Sequence, residues 1–301
     1  MSDEPPSDAA APLSPAAANQ RSGADRVALY VPRILQQHLG AGAQQRSWMR
    51  EGSAAFVDIS GFTALSEQLA RKGREGAEQI AETIGGSFEH ILQVAYASGG
   101  SLLKFGGDAL LLWFEGDAHV LRASQAAVLM RRKLDDVGRI DLPDAQVTLK
   151  MSQGVHSGLF HFFAVGTTHV ELLPTGPGWS RLVAMEQAAS AGEILLSTET
   201  AALLPADCLG ATLGPGVLLN EVPGEIAEQP LVPRPEVPPA TLAHCLSPAV
   251  RISLPPSASR SEASSATSCA SVAASTTLTS WCSASAAASG PCAAISASVP
   301  S

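Results

Sequence analysis

Two apolar runs that each end in an aspartate beside glycine constrain this chain more than any other feature. The first is Phe56-Val-Asp-Ile-Ser-Gly-Phe-Thr63, and the second is Leu103-Lys-Phe-Gly-Gly-Asp-Ala-Leu-Leu-Leu-Trp-Phe114. Ser53–Ile59 reads as a buried strand from its Ala-Ala-Phe-Val core. Gly61 at the bend after it lets the backbone approach a ligand closely. The free amides of Gly61, Phe62 and Thr63 then open a helix N-terminus, where an anion is favoured. Ser101–Phe105 and Ala109–Phe114 read as paired strands, and Gly106-Gly107-Asp108 between them has the composition of a hairpin turn. Each segment thus delivers one carboxylate, Asp58 or Asp108, to a strand end. Two such acids side by side can hold divalent cations against a polyphosphate. Taken singly, Asp58 also reads as a helix cap and Asp108 as an ordinary turn residue.

The rest of the chain follows from periodicity. Residues 1–24 are Ala-, Pro-, Ser- and Asp-rich and are expected to be disordered. Residues 25–51 form a helical lead-in, with Val27, Tyr30, Val31, Ile34, Leu35 and Leu39 at helical spacing and Pro32 cutting the first turn; Gly40–Glu51 reads as a polar connection. A first helix is expected over Gly61–Lys72 and a second over Arg74–Ser98, where Ile80, Ile84, Phe88, Ile91 and Ala95 line one face. Ala118–Leu134 is a third. Val147–His156, Phe160–Val165 and Val170–Pro174 read as strands, Trp179–Ser190 as a helix and Glu193–Ser197 as a strand. The core domain is therefore expected over 52–205, an extension and Pro-rich linker over 206–253, and a low-complexity Ala/Ser-rich disordered tail over 254–301. The composition of that tail is what a frameshifted or truncated end would give.

The chain of 301 residues carries a formal net charge of −9, which opposes a nucleic-acid partner. The acidic, Pro-rich N-terminus lacks the features of a signal peptide, and no apolar run reaches the ~18 residues of a membrane span. The five cysteines show no CxxC spacing, so neither a zinc site nor a disulfide framework is expected, and a reducing cytoplasm fits.

At the paired motifs the chain resembles the catalytic domain of the class III nucleotidyl cyclases over roughly 52–200. The resemblance is strongest to the first domain of tandem proteins of the soluble adenylyl cyclase type. It implies an α+β, ferredoxin-like fold: a mostly antiparallel sheet with helices packed on one face. It implies that Asp58, Asp108 and the Ile59 carbonyl hold two Mg²⁺ or Mn²⁺ ions, and that Gly61, Phe62, Thr63 and Lys104 bind nucleotide. Lys104 stands where adenylyl cyclases place the lysine that reads adenine, and where guanylyl cyclases carry Glu, which points to ATP over GTP. In the tandem type, the first domain's lysine instead borders a regulatory anion site. The family's Asn and Arg, which orient the ribose and stabilise charge on the transferring phosphate, fall at Ser180 and Ala184, so no transition-state group is retained. Arg181, one turn from Ala184, reads as a surface arginine. Gly154-Val-His156-Ser-Gly158 matches a family strand, with His156 structural. The Gly106-Gly107-Asp108 run also resembles the diguanylate cyclase signature, but that family needs an acid where Ala109 stands. The resemblance therefore implies ATP-to-cAMP chemistry that needs a second cyclase domain as partner. The alternative is an inactive module that binds nucleotide or an anion and dimerises.

Overall fold

A computed structural model describes residues 27–28, 30–62, 65, 74–142, 145–222 and 235–246; within these, the side chains at 74–84, 141, 142 and 145 are not described. The expectations for 1–24, for most of the first helix, for Ile80 and Ile84 and for 254–301 fall outside that set.

The described elements are α1 (Arg33–Gly40), β1 (Ser47–Ser60), α2 (Arg74–Ala97), β2 (Ser101–Gly106), β3 (Ala109–Phe114), α3 (His119–Val137), β4 (Arg139–Leu142), β5 (Ala145–Thr148), β6 (Lys150–Val165), β7 (Glu171–Thr175), α4 (Pro177–Ala188), β8 (Ile194–Ser197), α5 (Thr198–Ala201), β9 (Leu209–Leu213), β10 (Gly216–Leu219) and α6 (Pro239–Ala243). The main sheet runs β2-β3-β1-β6-β8-β10-β9, with β7 added to β6 off this path. Its pairings are antiparallel except β6 with β8. The fold is the expected α+β architecture.

β1 and β6 form its spine, paired without a break from Ser47 opposite Phe163 to Ser60 opposite Lys150. Alternation along β1 sends Ala55, Val57 and Ile59 to one face and Ala54 and Phe56 to the other. Each face carries its own core. The first is closed by Phe88, Ile91 and Ala95 of α2 and by Ala123, Ala127, Met130 and Leu134 of α3. The second gathers Ile34 and Leu35 of α1 with Trp179, Leu182 and Val183 of α4. Trp113 anchors this second core, meeting Phe160 and Phe162 edge-on at ring distances of 5.1 and 5.2 Å. Such pairs add about 0.5–1.5 kcal/mol each beyond burial. Helices therefore cover both faces, not one, because β1, β3 and β6 are apolar on both sides.

Four further expectations are corrected. The stretch read as a polar connection supplies the first residues of β1, since Ser47–Glu51 pair with Leu159–Phe163 while keeping largely exposed side chains. Two strands expected over 147–156 and 160–165 become the short hairpin β4–β5 followed by the single long β6. The domain does not stop at 205: β10 pairs β8, β9 pairs β10, and Leu219 enters the first core. Part of the expected linker also docks. Val237, Leu242 and Leu246 are buried in the second core, and the Val170 N–H donates to the His244 carbonyl at 2.7 Å.

Candidate active site

The β2–β3 hairpin closes in two residues, Gly107 and Asp108, between the paired Gly106 and Ala109. Gly107 has φ +68°, and Asp108 is not among the positive-φ residues, as a II′ turn requires. Ala109 is also the cross-strand partner of Asp58, and the Ile59 N–H donates to the Asp108 carbonyl at 3.0 Å. One rung of backbone thus ties the end of β1 to the turn that carries the second aspartate. Burial first, and the neighbouring Asp108 charge second, push the Asp58 carboxyl up to about 6. The Asp108 charge is therefore close enough to oppose the ionisation of Asp58.

Gly61 has φ +100°, and a Cβ there would lie 3.1 Å from the Thr148 carbonyl. The Leu65 N–H donates to the Gly61 carbonyl at 3.1 Å, so the helical turn begins where the sequence places it. Phe62 is buried and stacks on Phe88 at 5.5 Å, which turns its side chain to the core and leaves its backbone for any ligand contact. Thr63 lies outside the described residues.

The helix α4 brings a third acid that sequence reasoning used only to align the chain. Ser152, opposite Asp58 on β6, donates to Glu186 Oε1 at 3.1 Å. Burial is the main cause that pushes Glu186 up to about 7; the Ser152 bond lowers it, and the Asp58 charge raises it further. The approach is close because β6 has Gly154 beneath the helix. A Cβ there would sit 2.4 Å from the Glu186 nitrogen and 2.7 Å from the Leu182 carbonyl. The signal available in the sequence was Gly154 aligned under an expected helix.

Ser180 is exposed and Ala184 half-buried, one turn apart on the side of α4 turned from the sheet. The Ser180 hydroxyl donates only to the Gly176 carbonyl at 3.4 Å. Arg181 pairs with Glu199 at 3.0 Å, so the guanidinium of this helix is directed to the start of α5. His156 is buried, bonds the Ser197 hydroxyl at 2.8 Å through Nδ1, and is lowered by burial, as a structural histidine should be. Lys104 makes an ion pair with Glu171 of β7 at 2.6 Å, a partner with no counterpart in the sequence reasoning. Arg122 was also missed. It reaches the carbonyls of Asp117 at 3.0 Å, Ser98 at 3.1 Å and Glu115 at 2.5 Å, and so pins the ends of α2 and β3 together.

Among the described residues, no group of three or more His, Cys, Asp or Glu is arranged to hold a metal ion. The Asp58–Asp108 pair still has the chemistry for a hard cation: oxygen donors, partial burial, and mutual repulsion that positive charge would relieve. No helix among the described residues is long and apolar enough to cross a membrane.

No profile of a known family matches the chain. Human adenylate cyclase type 10 is 27% identical over 179 residues, covering 57% of this chain and 11% of that protein. Rabbit adenylate cyclase type 10 is 46% identical over 93 residues, covering 29% of this chain and 6% of that protein. Adenylate cyclase 1 of Rhizobium meliloti (strain 1021) is 26% identical over 149 residues, 46% of this chain and 21% of that protein. The chain spans about a tenth of the human relative's length. Among solved structures, a bacterial light-regulated adenylyl cyclase superposes with a TM-score of 0.51 at 16% identity, over 66% of this chain and 60% of that one, a likeness of fold. In sequence and in fold together, the folded part of this chain is similar to the catalytic domains of adenylate cyclases, of the class III nucleotidyl cyclase kind.

Proposed function

We propose that this domain is the metal-holding half of an adenylyl cyclase site that works in the cytoplasm. It would convert ATP to cAMP and pyrophosphate together with a second cyclase domain, in a homo- or heterodimer. The observation that carries this is the joining of Asp58 and Asp108 across the last rung of the β1–β3 ladder. In this reading Asp58, Asp108 and the Ile59 carbonyl would hold two Mg²⁺ or Mn²⁺ ions, whose chemistry would be to lower the pKa of the attacking hydroxyl and to neutralise the leaving pyrophosphate. The amides from Gly61 to Thr63 bind the phosphates, and Lys104 meets the base. The ribose 3′-oxygen bonds to the α-phosphorus, the bond from that phosphorus to the bridging oxygen of the β-phosphate breaks, and the hydroxyl proton leaves to solvent.

This chain supplies no group at Ser180 or Ala184 to orient the ribose or to stabilise charge on the transferring phosphate. Such a loss typically costs about 10²–10³ in rate. The partner domain is expected to provide both functions. The test is cAMP release from ATP with Mg²⁺ or Mn²⁺. The chain alone should turn over very slowly, a cyclase domain with the Asn and Arg should restore activity, and Asp108→Ala in this chain should remove it again. Fast turnover by the chain alone would overturn the half-site reading.

A second reading, a regulatory module that binds nucleotide or an anion without catalysis, is favoured by one contact. Arg181, the one guanidinium of α4, is committed to Glu199. Under that reading, added cyclase domains would restore nothing while nucleotide still binds.

A further inference from the structure

Asp58 and Ser152 stand directly opposite each other in the β1–β6 ladder, so their side chains leave the same face of the sheet. Residues paired in this way have Cβ atoms about 4.5–5.5 Å apart. Asp58 shares that face with Ala54 and Phe56, by the alternation of a strand. It is the face that α4 covers, since Ala54 and Phe56 lie in one core with Trp179, Leu182 and Val183. The same helix sets Glu186 Oε1 3.1 Å from the Ser152 hydroxyl. Three oxygen-bearing side chains therefore follow one another across the face: acid, hydroxyl, acid.

A serine hydroxyl has one hydrogen and two lone pairs, and a carboxylate has only lone pairs. Ser152 gives its hydrogen to Glu186, so toward Asp58 it offers lone pairs alone. The charges that raise these two acids are of their own sign: Asp108 acts on Asp58, and Asp58 on Glu186. The group thus presents acceptors and negative charge together. What complements it is a hydrated cation. A Mg²⁺-type ion held by one or two carboxylates keeps several of its waters, and those waters turn their hydrogens outward.

We propose that Glu186 is a positioning residue for the divalent ion read at Asp58: by holding the Ser152 hydrogen, it keeps the Ser152 oxygen as an acceptor for water bound to that ion. The inference rests on the metal-site reading above and deepens it. Glu186 touches neither the ion nor the nucleotide; it acts through Ser152. Without Glu186, the Ser152 hydrogen turns to Asp58 and occupies a lone pair that a cation needs.

The test is equilibrium dialysis of ATP against the full chain at increasing free Mn²⁺, at pH 8, above the value to which Glu186 is raised. In Glu186→Ala the half-saturating Mn²⁺ concentration should rise by about tenfold or more, the range of outer-shell losses. Glu186→Gln keeps a carbonyl acceptor for Ser152 and should regain part of that loss. Ser152→Ala should lose as much as Glu186→Ala. Adding Glu186→Ala to Ser152→Ala should then change the value by no more than about twofold, because the two act as one unit. Ser152→Ala removes a single oxygen, so it carries the test if Glu186→Ala does not fold. Variants that melt at lower temperature but keep the wild-type Mn²⁺ dependence would overturn the proposal and leave Glu186 a structural tie. A full further loss on adding Glu186→Ala to Ser152→Ala would also overturn it, by making Glu186 a direct ligand. Wild type whose ATP binding does not depend on Mn²⁺ would overturn the metal-site reading itself.

Discussion

Ser152 donates its hydroxyl to Glu186 across 3.1 Å, and that bond fastens α4 to the strand position directly opposite Asp58. Three acids therefore bear on one end of the sheet, and two of them bind protons more readily folded than unfolded.

The sign of the resulting pH dependence follows. Asp58 rises from 3.8 to about 6 and Glu186 from 4.5 to about 7 on folding. Their ionisation thus opposes folding, so their stabilising contribution is present below the unfolded values and is lost as pH rises through the folded ones. Buried His156 acts oppositely, because its lowered value costs stability as pH falls through the unfolded 6.5. The informative quantity is a difference between proteins. Without divalent ions, Glu186→Gln should gain on wild type in urea midpoint as pH goes from 5 to 8. Both acids are partly exposed, so solvent screening keeps the gain modest. Equal midpoint shifts in the two proteins would show that Glu186 is not raised.

If Asp58 is a metal ligand as proposed, removing it should cost more than removing an outer-shell partner, which typically costs about 10–100-fold. Asp58→Ala is therefore expected to weaken Mn²⁺-dependent ATP binding by roughly 100-fold or more, with far-ultraviolet circular dichroism unchanged. Ion-free stability should not fall, since an opposed charge has been deleted. Retained Mn²⁺-dependent binding would remove Asp58 from the site.

On the proposed half-site reading, the missing half can be written into this chain. Ser180 and Ala184 both lie on the side of α4 turned from the sheet, so Ser180→Asn with Ala184→Arg should fold normally. If two copies assemble, cAMP release should rise by about 10²–10³ over the parent. No gain in a variant that remains dimeric by light scattering would argue for the non-catalytic reading.

Gly154→Ala tests the packing that sets Glu186 in place. The new methyl group would meet helix backbone, which cannot rotate away as a side chain can. Overpacking of this kind costs about 1–3 kcal/mol, and the upper end is expected. Thermal denaturation checks it. The Ser152–Glu186 bond should lengthen, so the pH dependence attributed to Glu186 should weaken in the same variant.

Legibility in the sequence followed burial and local turn chemistry. The hairpin was plain because Gly106-Gly107-Asp108 separates two apolar runs, and the α3 stripe was plain because Val120, Ala123, Ala127, Met130 and Leu134 recur at helical spacing, although Val120 is only half-buried. The first third of β1 was hidden because Ser47–Glu51 join the ladder through their backbones while their side chains stay largely in solvent. β9 and β10 were hidden because they are short and only partly buried. The segment around Val237 has a linker's prolines, and only tertiary contact with α1 reveals its three apolar anchors. At the site, the two aspartates were readable as motifs. Glu186 and Glu171 were not, since each becomes relevant through a partner more than 30 residues away in the chain, Ser152 or Lys104.

The return of residues 235–246 to α1 has a consequence for where the domain can be cut. A Cβ on Gly40 would lie 3.2 Å from Pro235 and 3.3 Å from Val237, so the end of α1 and the returning segment lie against each other. A fragment that stops before residue 235 would leave Ile34 and Leu35 without the cover that Val237, Leu242 and Leu246 add to their core, and would carry a new apolar patch on its surface.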